Sequence, residues 1–105
     1  KTVWCVFQPH TYSRTKNLLT EFAEALPHAD KVVLADIYAA RETDTLGISS
    51  LDLKREIEKL GKECFYFGSF EEIEKFLSKN CINGDLLITM GAGNVYQIGE
   101  ALISQ

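Results

Sequence analysis

The chain has 105 residues, 46% hydrophobic and 25% charged, a composition that fits one ordinary globular domain with a modest core. Its formal net charge of −4 excludes a broad phosphate-binding surface, because lysines alternate with glutamates in runs such as Lys54-Arg55-Glu56-Ile57-Glu58-Lys59. No apolar stretch approaches the about 20 residues that a membrane span needs, and no signal-peptide pattern or internal repeat is seen. A cytoplasmic protein with no nucleic-acid partner and no membrane contact is therefore expected.

In chain order, the first apolar run is Thr2–Phe7. The chain enters it almost at once, as expected of a domain excised from a longer protein. A helix follows over about Ser13–Leu26, where Leu18, Leu19, Phe22, Ala25 and Leu26 form one apolar stripe and Pro27 opposes continuation. The second run, Val32–Ala35, leads into the longest connection. Next comes a helix over about Leu51–Leu60, with Ser49 or Ser50 as N-cap, Leu53, Ile57 and Leu60 on its apolar face, and Gly61 beyond its end. The third run is Glu63–Phe67. Ser69-Phe70-Glu71-Glu72 then reads as a capping box for a helix with Ile73, Phe76 and Leu77 inward. The last run, Leu86–Met90, precedes a helix from Asn94 that buries Val95, Ile98 and Leu102.

The strand runs show little polar alternation, which predicts burial on both faces and hence a parallel sheet covered by helices. The fold class is α/β: a Rossmann-like, open, mainly parallel sheet with helices on both faces. The pattern leaves the strand order open. Cys5, Cys64 and Cys81 lack metal-ligand spacing and read as reduced thiols, Cys5 and Cys64 in or beside apolar runs. The 2 histidines are too few for a His-based metal site.

In such sheets ligands gather beyond the C-terminal strand ends, so the loops there carry the candidate chemistry. Gln8-Pro9-His10-Thr11-Tyr12-Ser13-Arg14-Thr15 places a histidine, an arginine and several hydroxyls at a helix N-terminus. It reads in two ways. Either the helix end and Arg14 hold a carboxylate or phosphate, or Thr11 or Ser13 caps the helix and Arg14 is solvated. Asp36-Ile37-Tyr38-Ala39-Ala40-Arg41-Glu42 offers carboxylates for an ammonium group or a metal, and Tyr38 for packing on a planar ligand. The plain alternative is an exposed loop in which Asp36 caps a strand end. Gly91-Ala92-Gly93-Asn94 permits close backbone approach. Tyr96 occupies the place of the third glycine of a dinucleotide fingerprint, and no Gly-Lys-Ser/Thr follows, so neither nucleotide motif is met. No arrangement for nucleophilic catalysis is present.

Together, Gln8-Pro-His-Thr-Tyr-Ser-Arg-Thr15, Ala35-Asp-Ile-Tyr-Ala-Ala-Arg-Glu42 and Thr89-Met-Gly-Ala-Gly-Asn94 resemble the C-terminal domain of the Mur ligase family, in its UDP-N-acetylmuramate–L-alanine branch. Three motifs in order across nearly the whole chain make the resemblance specific. It implies that residues 1–105 are the third domain of a three-domain enzyme of peptidoglycan synthesis, hence of cell-wall formation, shape and division. Such an enzyme uses ATP and Mg²⁺ to convert the lactyl carboxylate of UDP-N-acetylmuramate to an acyl phosphate, which the amine of L-alanine attacks. The N-terminal and central domains of the same chain would be this domain's partners and would hold most of the ATP site.

The resemblance further implies that Arg14 clamps the amino acid's carboxylate, that His10 contacts substrate or phosphate, and that Gly91, Ala92, Gly93 and Asn94 line the cleft. Tyr38 joins them as a binding residue. No catalytic residue and no metal ligand is assigned to this domain. Some members carry arginine where this chain has Thr11, so one guanidinium contact is absent. The alternatives are a stand-alone nucleotide- or phosphate-binding Rossmann-like module, a Mur-type ligase for another amino acid, or an interaction domain without a small-molecule site.

Overall fold

Each of the four apolar runs is a strand in a computed structural model of the chain, which describes residues 2–82 and 84–91. The strands are β1 (Val3–Gln8), β2 (Lys31–Leu34), β3 (Cys64–Tyr66) and β4 (Leu86–Gly91), paired in the order β3-β2-β1-β4. All three pairings are parallel, with Trp4 opposite both Lys31 and Leu87. The last expected helix, from Asn94 through Leu102, lies outside the described residues.

The strand period of 2 divides the core. Cys5 and Phe7 of β1 turn to one face and pack with Ala23, Leu26, Val32, Leu34, Leu53 and Ile57. Trp4 and Val6 turn to the other and pack with Val33, Ala35, Ile73 and Leu77. Helices therefore cover both faces: α2 (Leu19–Ala25) and α3 (Ser50–Lys59) lie on the first, and α4 (Phe70–Asn80) on the second. No helix among the described residues is long and apolar enough to cross a membrane.

Local chemistry sets the helix ends. Ser49 caps α3 in a capping box closed by Asp52, and Gly61 follows the helix at φ 84°. Ser69 caps α4 by accepting from the Glu72 amide, while its hydroxyl donates to the Glu72 carboxylate, each at 3.2 Å.

Several expectations need correction. The first helix is two: α1 (Tyr12–Asn17) ends at Leu18, whose φ −109° and ψ 18° break the ladder before α2 starts. A 3-10 turn over Leu26–His28 then carries Pro27 past the end of α2. Past the break Ala23 rather than Ala25 is buried, and Thr15 of α1 is fully enclosed. Leu60 does not face the core; as the C-cap of α3 it is 59% exposed. In β4, Leu86, Ile88 and Met90 are exposed, because among the described residues no element covers that face.

The free thiols behave as apolar core groups: Cys5 and Cys64 are buried, and desolvation pushes Cys64 up to about 12.

Candidate functional site

Strand order locates the site. From β1 the chain steps to β2 and β3 on one side, then returns to place β4 on the other side of β1. This reversal of strand order between β1 and β4 marks the crevice at their C-terminal ends, the usual ligand position in such sheets. A cavity of about 300 Å³ lies there, lined by Phe7, Gln8, His10, Arg14, Phe22 and Gly91. Its apolar wall is the Phe7–Phe22 ring pair, with centroids 5.1 Å apart. A second cavity of about 300 Å³ lies beside α3, but it is away from the strand ends and its Asp52 and Arg55 are paired with each other.

The loops after β1 and β2 are tied together above the sheet. The Tyr38 amide donates to the Pro9 carbonyl at 2.8 Å, and the Thr11 amide donates to the Tyr38 carbonyl at 2.7 Å. This parallel bridge brings the His10 and Tyr38 rings into a stack, 5.8 Å between centroids and 15° apart. Tyr38, 43% exposed, thus packs on His10 rather than on the cavity wall.

Thr11, the N-cap of α1, has φ 62° and ψ 151°, a conformation that costs a non-glycine residue about 1–3 kcal/mol. Its surroundings over-determine it. The Thr11 carbonyl accepts from the Thr15 amide and hydroxyl, and its hydroxyl accepts from the Arg14 amide.

The N-terminus of α1 already holds an anion, the carboxylate of Glu42. One Glu42 oxygen accepts from the Tyr12 amide at 2.5 Å and the Ser13 amide at 3.1 Å; the other accepts from the Ser13 hydroxyl at 2.5 Å. The Ser13 hydroxyl bond, the two amides and the nearby His10 hold this carboxyl below the usual glutamate range, against a smaller effect of burial. Of the two readings of this loop, capping describes the backbone, and Arg14 is the cation left to face the cavity.

Because its folded value is lowered, ionised Glu42 contributes stability above about pH 4.3, and that contribution is lost as pH falls through the lowered value. Glu42→Gln should therefore flatten the acid limb of the thermal midpoint against pH. An unchanged limb would remove Glu42 from the acid response.

Asp36 is similarly engaged: it accepts from the Tyr66 hydroxyl, and its carbonyl accepts from Gln8 Nε2 at 3.3 Å. The Asp36 bond is the main cause that pushes Tyr66 up to about 12. Among the described residues, no three His, Cys, Asp or Glu side chains group as a metal site. With Asp36 and Glu42 turned to internal partners, the loop between β2 and α3 does not fit an ammonium or Mg²⁺ site.

The family described as "Mur ligase, glutamate ligase domain" matches residues 1–93. The chain belongs to the Mur ligase family. This Mur ligase domain is 74% identical over 101 residues to the UDP-N-acetylmuramate–L-alanine ligase of Lachnospira eligens, a match covering 96% of the chain and 22% of that protein. It is 60% identical over 105 residues to the ligase of the same name from Lachnoclostridium phytofermentans, covering 100% of the chain and 22% of that protein. The chain thus spans 22% of the length of each of these relatives. The crystal structure of the UDP-N-acetylmuramate–alanine ligase MurC from Thermotoga maritima has the same fold, with a TM-score of 0.70 at 22% identity, covering 99% of the chain and 20% of that structure.

Of the residues singled out from sequence, the Mur ligase domain brings His10, Arg14 and Gly91 to one cavity and sets Tyr38 against His10. Ala92, Gly93 and Asn94 lie outside the described residues. Glu42 as the partner of α1 escaped sequence reading. Its partners Tyr12 and Ser13 stand 30 and 29 residues away, and no local pattern joins them.

Proposed function

We propose that this Mur ligase domain is the third domain of a cytoplasmic, ATP-dependent ligase that joins L-alanine to UDP-N-acetylmuramate in peptidoglycan synthesis. Within that enzyme it holds the carboxylate of the incoming amino acid. The observation that carries this reading is the exposed Arg14 side chain lining the crevice between β1 and β4, beside an α1 N-terminus whose amides are already filled.

A guanidinium presents two parallel N–H donors that match a carboxylate. His10 lines the same cavity and adds a ring nitrogen, with its ring plane set by Tyr38. The Phe7–Phe22 wall suits a small apolar side chain. Phosphoryl transfer from ATP and attack of the amine on the acyl phosphate belong to the assembled enzyme, in which this domain supplies proximity and orientation. Among its described residues this domain offers no Mg²⁺ ligand set.

In the full-length ligase, Arg14→Ala should raise KM for L-alanine and lower kcat/KM about 30-fold, the equivalent of about 2 kcal/mol for a charge-assisted pair. Steady-state kinetics check this, and a panel of amino acids reads specificity. Unchanged kinetics in Arg14→Ala would overturn the carboxylate role.

A further inference from the structure

The first three amides of α1 all bond within the chain: Tyr12 and Ser13 to Glu42, Arg14 to the Thr11 hydroxyl. Glu42 comes from the connection after β2, and its carboxylate takes three bonds from the first turn of α1; farther along α1 the Lys16 ammonium donates to the Leu46 carbonyl of the same connection at 3.4 Å. One consequence follows from this geometry. The first turn of α1, from which Arg14 projects, takes its direction from a bond network anchored on the connection after β2, on the side of β1 away from the crevice.

We propose that Glu42 is a positioning residue: by holding the Tyr12 and Ser13 amides it fixes the first turn of α1 and so aims Arg14 at an amino-acid carboxylate in the cavity. This rests on the carboxylate reading of the cavity given above.

The test uses the full-length ligase with Glu42→Ala, Glu42→Gln, Arg14→Ala and the Glu42→Ala/Arg14→Ala double variant. Glu42→Ala should raise KM for L-alanine about tenfold while kcat and KM for ATP stay within about twofold. Glu42→Gln keeps a carbonyl oxygen for the α1 amides and should recover about half of that tenfold on a logarithmic scale. On the Arg14→Ala background, Glu42→Ala should add nothing, because its effect passes through the guanidinium. Thermal unfolding shows that each variant is folded. Should Glu42→Ala fail to fold, Glu42→Gln carries the comparison.

The outcomes separate the two claims. An unmoved KM in Arg14→Ala overturns the carboxylate reading itself. A raised KM in Arg14→Ala with an unmoved KM in Glu42→Ala overturns only the role of Glu42. Additive effects in the double variant, or a rise in KM for ATP equal to that for L-alanine, also overturn the role of Glu42.

Discussion

Gly91→Ala should destabilise the domain by about 3 kcal/mol or more, combining overpacking against backbone with a disfavoured φ. A Cβ built on Gly91 lies 2.2 Å from the Gln8 carbonyl oxygen, 3.0 Å from its amide nitrogen and 3.1 Å from its carbonyl carbon. These are main-chain atoms of β1, so no side chain can swing aside. The Gly91 φ of 124° is also one that L-residues rarely adopt. Relief requires opening the Gln8–Gly91 end of the β1–β4 pairing, whose register runs unbroken from Val3–Leu86. Gly91 and Gln8 both line the cavity, so that movement also displaces its wall. Denaturation followed by the fluorescence of Trp4, the 1 tryptophan in the sequence, measures the loss. A thermal midpoint within about 2 °C of the parent would show that β1 tolerates a methyl group there.

Gly91 also illustrates what the sequence made legible. Its glycine identity signals close approach, and that signal is sound, but the approaching backbone is the chain's own Gln8. Strands were legible because a covered parallel sheet needs continuous apolar runs, as in Val32–Leu34. Strand order was not, since these runs carry no mark of which neighbour each will take. The break at Leu18 was hidden because the apolar spacing continues across it.

At the site, His10 and Arg14 were findable because a strand-to-helix turn at a C-terminal strand end has a defined place in the fold. The bond from Glu42 to α1 was not, because it exists only once β2 lies beside β1. For the same reason the amide of Tyr38 and the carbonyl of Pro9, separated by most of a helical crossover, could not be paired from their local residues.

The other large effect is expected at the opposite end of β1. Trp4 is 2% exposed and packs on Phe65 at 6.4 Å and edge-on to Phe76 at 5.8 Å. Its indole N–H donates to Asp85 at 3.2 Å, and the Lys31 ammonium lies 5.1 Å from its ring centre. Trp4→Ala removes the largest side chain of the α4-side core, and the walls cannot collapse fully, because Ile73 and Leu77 are held on α4. The expected cost is about 3–5 kcal/mol, a large fraction of the about 5–15 kcal/mol that holds a domain folded. Asp85 keeps its bonds from the Thr2 and Ile82 amides, each at 3.1 Å, so a stranded carboxylate adds little to that cost. Trp4→Phe keeps much of the ring packing and should lose less than half as much. Circular dichroism in urea ranks the three proteins without needing the indole. Equal stability of Trp4→Ala and the parent would mean that the α4 face does not depend on this side chain. Trp4 lies at the N-terminal end of β1 and His10 lies just beyond its C-terminal end. In the full-length ligase of the proposed function, a folded Trp4→Phe variant should therefore keep its KM for L-alanine, which separates loss of core packing from loss of the site.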